Sequence, residues 1–396
     1  MAYAWSLLGV FKEIAENIWV DEGPKIDNTT LRLNYKVTVS FLLVTSGLVT
    51  FYDWFGIDNN PVECVANEKL PKYINDFCWL HPKEVNMEMD NWTEERFDQS
   101  TVMEGVGQTK DKDKVFTIHY YQWTPFFLLF QAICFYAARF VWTRWENGTM
   151  AFFKKSLDKA DWTDEQKAEA AAEILIERSE KKFNDMYALG YMVSELVAIA
   201  NIVLQWILTT VFLGTVVTNW ESEEIGNVNF LNLGWKVMTS RRTYLPTRML
   251  FPRVSICHWR KPGTGGGLSG TQANCLLPIN IINDKIFLAL WFWLVFVSLL
   301  TGLNFIYRVL MYLYKDLRKK KLSWDVLKRE KEQQADWQLD SICKKHSDFL
   351  VFENFSENFS TIVVRKTLLK IAERSQRDEI DIARRKLGEL DQLKTT

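Results

Sequence analysis

Residues 286–307 read Ile-Phe-Leu-Ala-Leu-Trp-Phe-Trp-Leu-Val-Phe-Val-Ser-Leu-Leu-Thr-Gly-Leu-Asn-Phe-Ile-Tyr, without one Asp, Glu, Lys or Arg. A bilayer core of about 30 Å takes roughly 17–25 apolar residues of helix to cross, and this run is long enough. Val115–Ala138 and Leu196–Trp220 meet the same test. Val37–Tyr52 is shorter, but Lys36 and Asp53 can place their charges at the two interfaces. The 396 residues are 24% charged and 48% apolar, which, spread evenly, would suit a soluble protein of two or three domains. They are not spread evenly, and the mildly negative mean hydropathy averages membrane spans with large polar segments. The expected fold is mostly α: a four-transmembrane-helix bundle with disulfide-linked extracellular loops and a helical cytoplasmic domain.

The expected organisation is an N-terminal segment at 1–34, spans at 35–53, 119–142, 192–218 and 285–310, outside loops at 54–118 and 219–284, a cytoplasmic loop at 143–191 and a cytoplasmic tail at 311–396. Basic residues choose the sides. Lys315, Arg318, Lys319, Lys320 and Lys321 follow the fourth span, Arg139, Arg144, Lys154 and Lys155 follow the second, and Arg178, Lys181 and Lys182 precede the third. That excess marks the cytoplasmic face. The 219–284 loop is also basic, but loops longer than about 60 residues translocate largely regardless of charge. Cysteines agree: Cys64 and Cys78 fall in one outside loop, Cys257 and Cys275 in the other, and Cys134 and Cys343 elsewhere. Two pairs in the oxidising compartment can form three connectivities.

Several function classes drop out. A net charge of −1 does not suit nucleic acid, and 14% aromatic content with 17 tryptophans excludes disorder. The first charge is Lys12, so the start does not read as a secretory signal. Among His81, His119, His258 and His346 no two are spaced as metal ligands, so no enzyme, metal or cofactor is expected. Gly265-x-Gly-x-x-Gly270 matches a dinucleotide fingerprint as a string, but it lies between loop cysteines with no strand-to-helix context and reads as a hairpin tip.

Other signals are local. Thr163 to Gln166 fits a capping box before an Ala/Glu-rich helix. Glu165, Glu169, Glu173 and Glu177 form a like-charge stripe, either a solvated face or a partner for the basic 315–321 cluster. Glu195 opens the third span and either serves function there or snorkels to the interface. Pro125, inside the second span, implies a kink. Asn91-Trp-Thr93 is an outside glycosylation acceptor, whereas the sequons at Asn28, Asn147, Asn354 and Asn358 fall in the cytoplasm.

Tyr120-Tyr121-Gln122-Trp123-Thr124-Pro125 at the second span resembles the signature of innexins. So does Arg32-Leu-Asn-Tyr35 before the first span. Phe251-Pro-Arg-Val254 leading to Cys257 is similar to the family's second outside loop, as is Cys275-Leu-Leu-Pro-Ile-Asn280 running into the fourth span. Thr124 stands where valine is usual, and Ala138 where proline is usual. The resemblance spans about residues 30–310.

It implies a large-pore channel for ions and small metabolites, a homo-oligomer (octamer) in the plasma membrane that docks to a hemichannel on an adjacent cell as a gap junction. The family pattern pairs Cys64 with Cys275 and Cys78 with Cys257. It also places the N-terminal helix in the pore, giving Ala2, Tyr3 and Trp5 a lining role. Expected partners are further copies, the docked hemichannel and membrane lipids, with no nucleic acid. The nearest alternative is an undocked, pannexin-like channel with a glycan at Asn91. A four-span adhesion or scaffold protein is more distant, because the tetraspanin and claudin motifs are missing.

Overall fold

The computed structural model describes residues 23–55, 62–66, 73–81, 83–86, 115–159, 161–215, 227–240, 245–262, 265–327 and 336–394. Ala2, Tyr3, Trp5 and Asn91 lie outside them.

Among the described residues, four helices are long and apolar enough to cross a membrane. The first, α1, is α-helical at Thr29–Arg32, π-helical at Leu33–Thr38 and α-helical again at Val39–Phe55. The others are α3 (Thr124–Glu146), α6 (Phe183–Leu213) and α9 (Pro278–Leu313). Each keeps large apolar side chains uncovered, including Val44, Phe126, Val211 and Leu299, as lipid-facing or subunit-facing helices must. Several of their polar side chains pair internally. Gln131 donates to Thr209 at 2.9 Å, and Trp206 donates to Ser298 at 3.1 Å.

The chain divides into two compact units. One comprises Val37–Phe135 and Ala200–Leu299. Its loops supply α2 (Ile74–Leu80), α7 (Phe230–Thr239), α8 (Leu245–Leu250) and a five-stranded antiparallel sheet. The strands are β1 (Glu63–Val65), β2 (Lys83–Asn86), β3 (Val115–Ile118), β4 (Val254–Pro262) and β5 (Leu268–Leu276), in the order β1-β5-β4-β2-β3. Ala273 and Cys275 are buried while Gln272, Asn274 and Leu276 are exposed, the two-residue alternation of a half-buried strand. Gly265-x-Gly267 is the β4–β5 hairpin turn, and Gly266 takes φ +79° there.

The strand β3 corrects one reading. Val115–Ile118 is uncharged and extends the apolar run, yet it pairs with β2, and α3 begins at Thr124. Pro125 is therefore in the first turn of its helix, where its missing N–H would have no partner anyway. The expected mid-span kink has no cause.

The other unit comprises Met1–Lys36, Tyr136–Ile199 and Leu300–Thr396. It holds α4 (Thr149–Leu157), α5 (Asp164–Glu180), α10 (Lys315–Leu327), α11 (Asp336–Cys343), α12 (His346–Asn358) and α13 (Thr361–Lys394). The capping box at Thr163 forms with both of its bonds. Behind it α5 buries Ala168, Ala171, Ala172 and Leu175, a stripe of helical period that packs on α13. Trp142, Phe153, Phe349, Phe352 and Phe355 centre the core.

Candidate functional site

The two long loops are one structure, because covalent bonds and strand pairing both join them. Cys64 in β1 faces Cys275 in β5 directly across the ladder, with Cα atoms 4.0 Å apart, and the two are bridged. Cys78 on α2 is bridged to Cys257 on β4, with Cα atoms 5.8 Å apart. Cys134 and Cys343 are free. The sequence left three pairings open, and the structure contains the one that the family resemblance implied.

The Tyr120–Pro125 signature locks this layer to the helices. Tyr120–Gln122 forms a 3-10 turn ahead of α3. The Tyr120 hydroxyl donates to the Leu250 carbonyl of α8 at 2.8 Å, and its ring meets Phe251 edge-on at 5.9 Å. Tyr121 donates to the carbonyls of Trp79 at 3.1 Å and His81 at 3.3 Å, and Gln122 Nε2 also donates to Trp79. The Pro125 carbonyl accepts from Ser46 of α1 at 2.9 Å. Four residues of this motif, Tyr120, Tyr121, Gln122 and Pro125, thus tie the first loop, the second loop and the first span to the second span. Trp123 alone is exposed in it. Burial holds the Tyr120 phenol well above its ordinary range, so it stays a neutral donor.

Lys83 was not legible as special. It opens β2 fully buried, with Nζ 4.6 Å from the Tyr121 ring centroid and 5.6 Å from that of Trp79, and without a hydrogen-bond partner among the described residues. Burial pulls its ammonium down to about 7, although the ring faces attract a cation and favour the charged form. An unfolded lysine keeps its proton to about pH 10.4. Between those values the unfolded chain binds more protons, so stability rises with pH across that window, by at most about 1.4 kcal/mol per unit. Thermal melts between pH 7 and 9 should show that rise. Lys83→Met should melt higher at pH 7 and lose the slope; equal slopes in both proteins would contradict this reading.

In the other unit, Glu195 neither snorkels nor stands alone. It is buried and accepts from Asn28 at 3.0 Å and Asn304 at 2.9 Å, with Arg308 Nε 3.7 Å away. Arg308 also donates to Glu353 of α12 at 2.8 Å and to the Tyr191 hydroxyl at 3.1 Å. Lys321 donates to Glu353 as well. Two buried acids and two bases therefore balance. The Glu165–Glu177 stripe is exposed. The basic cluster is engaged elsewhere: Lys315 and Lys319 pair with Asp340, and Arg318 donates to the carbonyls of Met311, Tyr312 and Cys343. The stripe does not meet that cluster.

Three sequons prove to be structural asparagines. Asn28 caps the start of α1, Asn354 donates to Tyr187 at 2.9 Å, and Asn358 binds the backbone of Lys25. Of the histidines, His258 pairs with Glu84 at 3.0 Å across the sheet. His346 is wedged between Tyr312 and Phe349, where burial and the nearby Arg318 and Arg308 pull it down to about 4.

Comparison with known proteins agrees with this arrangement. The innexin family model matches residues 27–375. The chain is 27% identical over 360 residues to innexin inx2 of Schistocerca americana, covering 90% of this chain and 95% of that protein. It is 28% identical over 381 residues to innexin shaking-B of Drosophila melanogaster, covering 93% and 95%. To innexin inx2 of Drosophila melanogaster it is 30% identical over 287 residues, covering 72% and 74%. Four membrane-crossing helices, two loops stapled by the paired cysteines, and a family match over most of the sequence have one meaning: the chain belongs to the innexin family, whose members form gap-junction channels.

Proposed function

We propose that this chain assembles with copies of itself into an octameric ring in the plasma membrane. The ring encloses a wide, weakly selective pore for ions and small metabolites, and two such rings dock across adjacent cells. The basic flanks of the spans put both termini and the α4–α5 and α10–α13 helices in the cytoplasm. The disulfide-joined sheet then faces outward, where thiols oxidise. The observation that carries the docking reading is that sheet. Two bridges and a shared ladder join the described parts of the two loops into one lobe, suited to meet a rigid counterpart.

Ala2, Tyr3 and Trp5 line the constriction in this reading, because the family places the N-terminal helix in the pore. Conduction makes and breaks no bonds, so selectivity follows pore width and lining charge. Lipid covers the outward apolar faces of the spans. A glycan at Asn91 would project from the outer loop.

Dye transfer between paired cells tests docking. Cells expressing the protein are expected to share a small dye, and Asn91→Gln is expected to couple them at least as well. Surface protein that takes up dye from the medium but never passes it to a neighbour would refute docking and favour the undocked channel.

A further inference from the structure

Helices α5, α11, α12 and α13, with the first turn of α6, line a cavity of about 270 Å³. Its apolar lining runs from the partly buried Ile176 and Ile371 to the buried Leu175, Ile342 and Phe352. Glu180, Lys344, Asp378 and Glu379 are exposed around it, so the cavity opens to solvent. Protein cores pack without voids much larger than a water molecule. An apolar space with a few convergent polar groups is instead the form that small-molecule sites take.

Those polar groups centre on Asp348, in the first turn of α12. Ser179 donates to its Oδ2 at 2.9 Å, and the Asn184 amide donates to its Oδ1 at 2.8 Å. Asn184 is itself buried, and Arg178 Nε donates to its Oδ1 at 3.4 Å, which sets the way the amide points. Both donors to Asp348 are neutral, and among the described residues no cation forms a salt bridge with it. A carboxylate has about four lone-pair sites, so each oxygen can accept again. The surrounding charge has the same sign. Glu180, Asp378 and Glu379 stand with Asp348 against Lys344 and Arg374, and Lys344 lies 3.9 Å from Glu379. Carboxylates outnumber cations on the lining, which draws in positive ligands and repels anions.

We propose that this cavity binds a small organic amine, with its apolar body against Ile176 and Ile371 and its ammonium donating to Asp348. The apolar lining answers the body, and the carboxylate answers the charge through a charge-assisted hydrogen bond. A metal ion would leave the apolar lining unused, and a neutral apolar molecule would leave Asp348 without a cation. Bound there, the amine touches residues of α12 and α13 beside Asn184, which lies in the first turn of the membrane-crossing helix α6. It is thus placed to link the helices after the fourth span to the third.

The test needs no channel activity, so its failure leaves the pore reading standing. Phenethylamine is titrated calorimetrically into full-length protein in detergent, with the same detergent alone as reference. Saturable binding is expected, and Asp348→Asn, which keeps one acceptor oxygen and loses the charge, should weaken it about tenfold or more. Ile176→Trp should fill the cavity and abolish binding, and serves if the first variant does not fold. Glu169→Gln, which removes an exposed charge of α5 outside the cavity, should leave the affinity unchanged. Phenethyl alcohol and phenylacetate, of similar size without the positive charge, should bind weaker by about tenfold or more. Wild-type protein that takes up no amine beyond the detergent reference overturns the proposal. So does an alcohol or carboxylate that binds as tightly as the amine. An affinity that folded Asp348→Asn leaves unmoved, or that Glu169→Gln lowers as much, overturns it too.

Discussion

Replacing Arg308 with methionine should cost about 3–5 kcal/mol, the usual penalty for removing one partner of a buried ion pair. The guanidinium lies between Glu195 and Glu353, each less than a tenth exposed, and also bonds Tyr191. Methionine fills much of the space but leaves Lys321 as the remaining cation for two carboxylates. Arg308→Lys should recover part of the loss, because a point charge cannot reach both acids and the tyrosine as a planar fork does. Adding Glu195→Gln to Arg308→Met should recover more, because it removes a charge that the single variant strands. Melting of purified protein in detergent reads all three. A single variant that melts with wild type would show that the network adds nothing to the fold.

Cys257→Ser should be more damaging than Cys78→Ser and Cys257→Ser together. Opening this bridge removes a cross-link between residues 179 apart in sequence. Because Cys64–Cys275 still joins the same two loops, the ring it opens is short and the chain-entropy cost is that of a short loop, about 3–4 kcal/mol. The single variant adds a second fault. It frees Cys78, whose sulfur lies within 4.8 Å of those of Cys64 and Cys275. A thiolate at that range can attack the neighbouring bridge by exchange. Non-reducing peptide maps should therefore show Cys78 joined to Cys64 or Cys275 in the single variant. The double variant should keep a clean Cys64–Cys275 bridge and reach the surface in larger amount. A single variant with its Cys64–Cys275 bridge intact would contradict the exchange step.

How far the sequence could be read follows from the range of each signal. Uncharged runs are long and one-dimensional, so all four spans were visible. So was the capping box at Thr163, whose partners are three residues apart. The sheet was not. Its strands come from two loops far apart in sequence, and β1 has only three residues, too short for alternation to register. Missing it also misplaced Pro125, since β3 borrows the uncharged run that seemed to belong to the second span.

Buried polar groups were the other blind spot. Lys83 is an ordinary residue in sequence, Glu195 stands out only as an ionisable group at the start of a span, and Asn358 only as a sequon. What sets them apart is burial and a partner on another element, such as Arg308 for Glu195 or the Lys25 backbone for Asn358. The Tyr120–Pro125 signature was recognised as a string. Its physical meaning came only with the carbonyls of Trp79, His81 and Leu250 that it binds.

The central claim is that copies of this chain enclose a water-filled path wide enough for metabolites. Purified full-length protein should be reconstituted into liposomes loaded with a small fluorescent dye and a large labelled dextran, with rings confirmed by electron microscopy of the same sample. The account predicts that the dye escapes while the dextran stays. Liposomes that carry the rings and retain the dye under every voltage, calcium and pH condition tried would contradict it.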